Sequence, residues 1–368
     1  MARPMLAQYP ALKAGIPHVT LAELPTPVQR MERMERAVGA DAPALFIKRD
    51  DRSSPVYGGN KVRKLEFVLA RARQRGCPSV LTFGAAGSNH ALATAIFAQQ
   101  LGLRCISVLV RQPNAMYVRR NLLMHYRAGA ELHHYSGMPG AAAGTIAALV
   151  RHGLRTRRFP YLIPPGGSSP LGVLGFVNAG FELREQVAAG LLPEPDVVYV
   201  ASGTMGTAVG LALGLCAAGL RTRVMAVRVT DAVFTSVRKA RRLFDKTHRL
   251  LRRAAPDFPR CPFPSATFQF RHEFFGRAYA LYTEEGMRAV RLLRDTEGIS
   301  IEGTYTGKTL AALIADASAG NLRGKTALFW NTCNARDFTA DIAEMDYHAL
   351  PPAFHRYFEE DVQPLDRE

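Results

Sequence analysis

From residue 44 almost to its end, the chain alternates short β-branched or apolar runs with amphipathic or alanine-rich stretches. The runs at 45–48, 79–83, 105–110, 197–201, 224–229 and 326–330 read as strands. The stretches at 62–75, 89–101, 116–128, 141–152, 172–188, 206–218, 283–296 and 307–318 read as helices. A parallel strand can be reached only by a crossover, usually helical, so this alternation predicts an α/β architecture. The expectation is two open, twisted parallel-sheet domains covered by helices. Glycine and proline crowd residues 163–172, where the chain is expected to cross between domains. Ligands in such folds collect at the carboxyl ends of the strands.

A chain of 368 residues, 48% apolar and 21% charged, has the composition of an ordinary globular protein with a large core. No run approaches the roughly 18 uninterrupted apolar residues of a membrane span, and the first residues lack the apolar core of a signal peptide. A cytoplasmic protein is expected, with no membrane contact. The five cysteines are scattered and include no Cys-x-x-Cys pair, which predicts neither a disulfide framework nor a metal site. A net charge of +16 raises nucleic acid as a partner. One concentration of it, Arg238, Lys239, Arg241, Arg242, Lys246, Arg249, Arg252, Arg253 and Arg260, has helical spacing. A solvated helix face explains such a run, and no nucleic-acid-binding pattern accompanies it. The acidic residues Glu359, Glu360, Asp361, Asp366 and Glu368 predict a loosely ordered tail.

Chemistry concentrates where predicted strands or turns meet helices. Gly58-Gly59-Asn60-Lys61 places a lysine where a glycine turn becomes a helix. Helix-terminal positive charge disfavours a second cation, so Lys61 is expected to have a lowered pKa and to serve as a nucleophile toward an aldehyde cofactor. Ser88, Asn89 and His90 open another helix with donors suited to a carboxylate. The run Ser202, Gly203, Thr204, Met205, Gly206 and Thr207 combines glycines and hydroxyls in the manner of a phosphate cup. Near the C-terminus, Tyr305 is a proton-transfer candidate and Thr306 offers a neutral hydroxyl to a ring nitrogen. Taken singly, each is also an ordinary helix start.

In order, these segments resemble the fold-type-II, tryptophan synthase β-like pyridoxal phosphate enzymes. Within them, the chain is similar to the family of 1-aminocyclopropane-1-carboxylate deaminase and D-cysteine desulfhydrase. The resemblance runs from Leu24-Pro25-Thr26-Pro27-Val28 to about Lys308 and includes Ile163-Pro164-Pro165-Gly166-Gly167-Ser168. It implies pyridoxal 5′-phosphate as cofactor, a small amino acid as substrate and a homodimer. It implies a large cofactor-binding domain from 1–63 and 173–368, and a small substrate-side domain from 64–172. By the resemblance Lys61 is the Schiff-base lysine, Lys64 a second base near the phosphate, and 202–207 the phosphate cup. Asn89 bonds the cofactor's phenolic oxygen, and Ser88, with His90 beside it, meets the substrate carboxylate. Tyr279 and Tyr305 are the active-site tyrosines, and Thr306 faces the pyridine nitrogen.

Thr306 stands where cyclopropane deaminases carry Glu, which leans toward a desulfhydrase-like α,β-elimination. The chain departs from the family at Met205, at Asn331-Thr332-Cys333-Asn334 in place of His-Thr-Gly-Gly, and at Glu302-Gly303-Thr304 in place of Asp-Pro-Val. Racemisation and β-replacement use the same lysine and remain open. So does an inactive cofactor-binding protein that meets an acidic partner through the basic helix.

Overall fold

A computed structural model describes residues 3–367, which divide into two compact units. One holds the chain up to Ile16, Ala22–Lys64 and Ser168–Arg336; the other holds Pro17–Leu21, Leu65–Gly167 and the residues from Asp337 onward. The resemblance implied that residues beyond 336 belong with the larger domain, whereas they cluster with the smaller unit. The division falls inside helix Asn60–Gln74, directly after Lys64.

In chain order the strands are β1 (Val28–Arg30), β2 (Ala44–Lys48), β3 (Ser79–Ala85), β4 (Arg104–Val110) and β5 (Glu131–Tyr135). They continue with β6 (Tyr161–Ile163), β7 (Val197–Ser202), β8 (Arg223–Arg228), β9 (Phe268–Arg271) and β10 (Thr326–Trp330). The larger unit has a six-stranded sheet ordered β1-β2-β10-β7-β8-β9, and the smaller a four-stranded sheet ordered β5-β4-β3-β6. Every pairing is parallel except β1 with β2, so the expected parallel sheet carries one antiparallel edge strand.

The predicted strands, β2, β3, β4, β7, β8 and β10, are the inner ones, which are covered on both faces and therefore read as continuous apolar runs. In β7 all six residues are buried. The strands that periodicity missed are β1, β5, β6 and β9, and all four lie at sheet ends. In β5 only Leu132 is buried, so no apolar run marks it.

The predicted helices occur within a few residues of their expected bounds, and the basic run forms helix Val237–Ala254. Its buried face is Ala240, Phe244, Thr247 and Leu251, which leaves the arginines and lysines outward. Helices Leu174–Ala188 and Gly206–Ala217 cross closely, because a Cβ on Gly180 would lie 2.4 Å from the Gly214 carbonyl carbon. Helix Gly206–Ala217 begins four residues after the carboxyl end of β7 at Ser202. The tail is not loose: short helical turns at Arg356–Glu359 and Pro364–Asp366 are tied to the smaller unit's own residues.

Candidate active site

Lys61 is the second residue of helix Asn60–Gln74, reached through a turn in which Gly59 has φ +90°. A Cβ on Gly59 would lie 2.8 Å from the carbonyl oxygens of both Thr332 and Cys333, so only glycine fits there. Segment 331–334, one of the departures noted above, grips this turn: Gly58 N–H donates to Asn334 Oδ1 at 2.7 Å and Asn60 N–H to Thr332 O at 3.3 Å. The glycine that the resemblance leads one to expect at 334 could not make the bond to Gly58.

Beneath the turn lies a buried ionic network. Arg63 binds Asp50 at 2.7 Å and Glu182 at 2.8 Å, and Lys48 binds Glu182 at 2.6 Å. Trp330 Nε1 donates to Asp50 at 2.8 Å. All four charged side chains are at most 1% exposed, and their charges balance. The network fixes the first turn of the helix to β2, β10 and helix Leu174–Ala188. Burial pulls the Lys61 amine down to about 8, against the opposing pull of Glu302. Burial, and then the neighbouring Lys61, also hold Lys64 well below its ordinary value.

Lys64 Nζ reaches Ser168 Oγ at 3.5 Å. Ser168 Oγ also accepts from Gly206 N–H at 3.2 Å and lies 2.7 Å from Thr204 Oγ1. A Cβ on Gly206 would fall 2.3 Å from Ser168 Oγ and 2.9 Å from Lys64 Nζ, filling this cradle. Ser202 Oγ is buried with no hydrogen-bond partner. Several donors and a depressed lysine around one hydroxyl are what a phosphate needs, since an anion would recharge Lys64 and take up the donors. The chain therefore fits a phosphorylated cofactor. Met205 adopts a left-handed conformation, φ +63°, at the N-cap of helix Gly206–Ala217, with its side chain buried. A glycine would hold that turn without the roughly 1 kcal/mol that Met incurs. Thr207 Oγ1 accepts from Asn60 Nδ2 at 2.9 Å, joining cup to lysine turn, while Gly203 O accepts from Thr235 Oγ1 at 3.0 Å.

The hydroxyls of Tyr279 and Tyr305 hydrogen-bond each other. Burial pushes Tyr279 up to about 12 although the bond to Tyr305 works the other way. Tyr305 precedes helix Thr306–Ser318, whose start is organised by Glu302. Its carboxylate accepts from the backbone N–H of Thr304, Tyr305 and Thr306, at 2.7, 2.8 and 2.8 Å. The Thr306 hydroxyl, expected to face the pyridine nitrogen, is fully buried and bonds Glu302, at 3.0 Å from Oε1 and 3.1 Å from its carbonyl oxygen.

The remaining predicted residues belong to the smaller unit. Ser88 caps helix Asn89–Gln100, accepting from Ala91 N–H at 3.2 Å. Asn89 Oδ1 accepts from Asn121 Nδ2 at 2.9 Å. His90 was expected beside the substrate carboxylate, but it is 3% exposed and its Nε2 lies 3.1 Å from Thr82 Oγ1 of β3.

Ser168, Glu302 and Asn334 were not singled out as site residues. Glu302 carried a local signal, an acid ahead of a helix start; the other two act only through the fold. Among the described residues no cluster of His, Cys, Asp and Glu could hold a metal, and no helix is long and apolar enough to cross a membrane.

Comparison with known proteins bears on this arrangement. Residues 19–332 match the model of the family described as pyridoxal-phosphate dependent enzyme. A protein of Pyrococcus abyssi, provisionally named 1-aminocyclopropane-1-carboxylate deaminase, is 33% identical over 88% of this chain and 93% of its own length. The D-cysteine desulfhydrase of Klebsiella pneumoniae is 34% identical over 81% of this chain and 88% of its own. The crystal structure of an ACC deaminase homologue superposes with a TM-score of 0.74 at 31% identity, covering 93% of this chain and 98% of that one.

Proposed function

The chain belongs to the pyridoxal-phosphate dependent enzymes, and from that premise we propose that it removes a β substituent from a small amino acid, with D-cysteine as substrate. D-cysteine and water would give pyruvate, hydrogen sulfide and ammonia. When bound, the cofactor draws off the electrons left as the substrate Cα loses its proton.

The chain's own groups supply the rest. Lys61 Nζ holds the cofactor and, once released, is neutral above about pH 8 and able to take the Cα proton. Ser168, Thr204, Gly206 N–H and Lys64 hold the phosphate, with Ser202, Gly203, Met205 and Thr207 shaping the cup. Tyr279, which burial keeps protonated at neutral pH, and Tyr305, which shares a hydrogen bond with it, pass a proton to the departing sulfur. Ser88 takes the substrate carboxylate and a proton-transfer role, and Asn89 the cofactor's phenolic oxygen. His90 steadies their turn from Thr82.

The observation that carries the choice of reaction is Thr306, a buried neutral hydroxyl. A neutral partner for the ring nitrogen limits how far charge spreads into the ring, and so favours expelling a β leaving group over returning the proton. The second reading, opening of 1-aminocyclopropane-1-carboxylate to 2-oxobutyrate and ammonia, is favoured by the likeness to the ACC deaminase homologue. The same proposal includes a homodimer in the cytoplasm.

The test is an absorbance spectrum of the purified protein and of Lys61→Ala, with D- and L-amino acids and the cyclopropane amino acid added in turn. A visible band lost in the variant and shifted by D-cysteine, with pyruvate formed, supports the reading. Racemised or β-substituted product, or no band after adding cofactor, overturns it. Light scattering checks the dimer.

A further inference from the structure

Residues 337–367 lie beyond the stretch that matches the family model, yet they are fastened to the smaller unit, most densely around Asn114. Asn114 Nδ2 donates to the carbonyl oxygens of Tyr357 and Glu360 at 2.9 and 2.8 Å. Arg119 donates to the same two carbonyls at 2.7 and 2.8 Å. Gln363 N–H returns a bond to Asn114 O at 3.0 Å. The Tyr357 side chain is 2% exposed, and its hydroxyl accepts from Gln112 N–H at 3.3 Å. The tail is therefore a strap across the connection from β4 to helix Met116–Arg127.

That connection in turn holds Gly87, the residue before Ser88. Gln112 Oε1 accepts from Gly87 N–H at 2.8 Å while its Nε2 donates to Tyr117 at 2.9 Å. On the other side of Gly87, Asn121 Nδ2 donates both to Gly87 O and to Asn89 Oδ1, each at 2.9 Å. Gly87 O can only accept, so Asn121 must offer its amino group, and Asn89 must then turn its own oxygen toward Asn121. The Asn89 amino group becomes the end presented elsewhere, which is the polarity that a phenolic oxygen requires.

We propose that Gln112 and Asn121 are positioning residues for the Ser88–Asn89 turn, and that the strap at 352–366 fixes Gln112 in place. This rests on the assignment of that turn to substrate and cofactor given above. The strap makes the geometry of the turn depend on a segment outside the matched family region. It gives this chain a means of setting its affinity for substrate without altering the turn's own residues.

The experiment compares Gln112→Met, which keeps the length but loses the acceptor, with Gln112→Glu, which keeps it and lets Tyr117 donate instead. Tyr357→Phe is the third variant, removing only the hydroxyl at the strap. In the holoenzyme, hydrogen exchange in the peptide spanning 84–92 is expected to quicken about tenfold in Gln112→Met, the loss expected of one buried hydrogen bond. KM should rise by a similar factor with kcat nearly unchanged, and the visible band should shift as Asn89 moves. Gln112→Glu should stay within about twofold of wild type on all three readouts, and Tyr357→Phe should follow Gln112→Met more weakly. Wild-type exchange in both Gln112→Met and Tyr357→Phe overturns the proposal, as does Gln112→Glu failing as badly as Gln112→Met. Exchange is read without turnover. A protein with no cofactor band would therefore defeat the functional reading while still deciding whether the strap fixes the turn.

Discussion

Tyr279 and Tyr305 meet hydroxyl to hydroxyl, with ring centroids 6.2 Å apart and planes inclined by 71°. One donates and the other accepts, so a proton delivered from one can be replaced from its neighbour. If the pair acts as a unit, the effects of losing its members are not additive. Tyr279→Phe and Tyr305→Phe are each expected to lower kcat by about 10²–10⁴. The double variant should fall little further, with the cofactor band retained throughout. Steady-state rates of the three variants check this, and two additive losses would separate the tyrosines.

The cradle around Ser168 makes a prediction about cofactor affinity. Lys64→Met removes a charge-assisted bond to phosphate of about 1.5–3 kcal/mol, a loss of roughly 10- to 150-fold in affinity. Ser168→Ala, removing a neutral bond, should cost about tenfold or less. Titration of cofactor-free protein reads both. Unphosphorylated pyridoxal is the control: wild type and variants should bind it equally weakly, and a difference that persists would place these residues elsewhere.

The parts of this fold legible in the sequence are those that local pattern alone determines. Inner strands such as β7 and β10 are continuous apolar runs, and Lys61, Ser88 and Tyr305 all stand at helix starts marked by turn residues. Edge strands such as β5 are half solvated and carry no such run. Gln112 and Asn121 meet Gly87 from 25 and 34 residues away in the chain, and Ser168 meets Lys64 from 104 residues away. His90 sits among donors in sequence, but the direction of its ring toward Thr82 is set by the packing of β3. Charge suggested a loose tail, whereas two buried aromatics, Phe354 and Tyr357, anchor it.

Lys61 gives the pH prediction. Its amine titrates near 8 in the folded chain against an ordinary 10.5, so the unfolded chain binds more protons between those values. Stability therefore rises with pH across about 8 to 10.5, and the buried amine is destabilising below that window. In cofactor-free protein, Lys61→Met should raise Tm at pH 7, with the gain vanishing by about pH 10.5. Relief of Lys64, which Lys61 depresses, acts in the same direction. A Tm difference constant from pH 7 to 10.5 would contradict a depressed amine.

The ionic network under the lysine turn gives the stability prediction. Glu182 bridges Arg63 and Lys48, so Glu182→Gln leaves two buried cations facing Asp50 alone. Breaking a buried pair from one side costs about 3–5 kcal/mol, because the remaining charge is uncompensated. Adding Lys48→Met to Glu182→Gln restores the balance of charge and should recover part of that loss. Burial opposes the Glu182 charge, but Arg63 and Lys48 outweigh it and hold the carboxyl far below its usual range. The stabilisation is thus present above the ordinary glutamate value of about 4.3 and lost as pH falls below it. Denaturant unfolding at pH 7 of wild type, Glu182→Gln and the double variant is the measurement. A double variant less stable than Glu182→Gln alone would show that Lys48 stabilises the core by packing, independently of its charge.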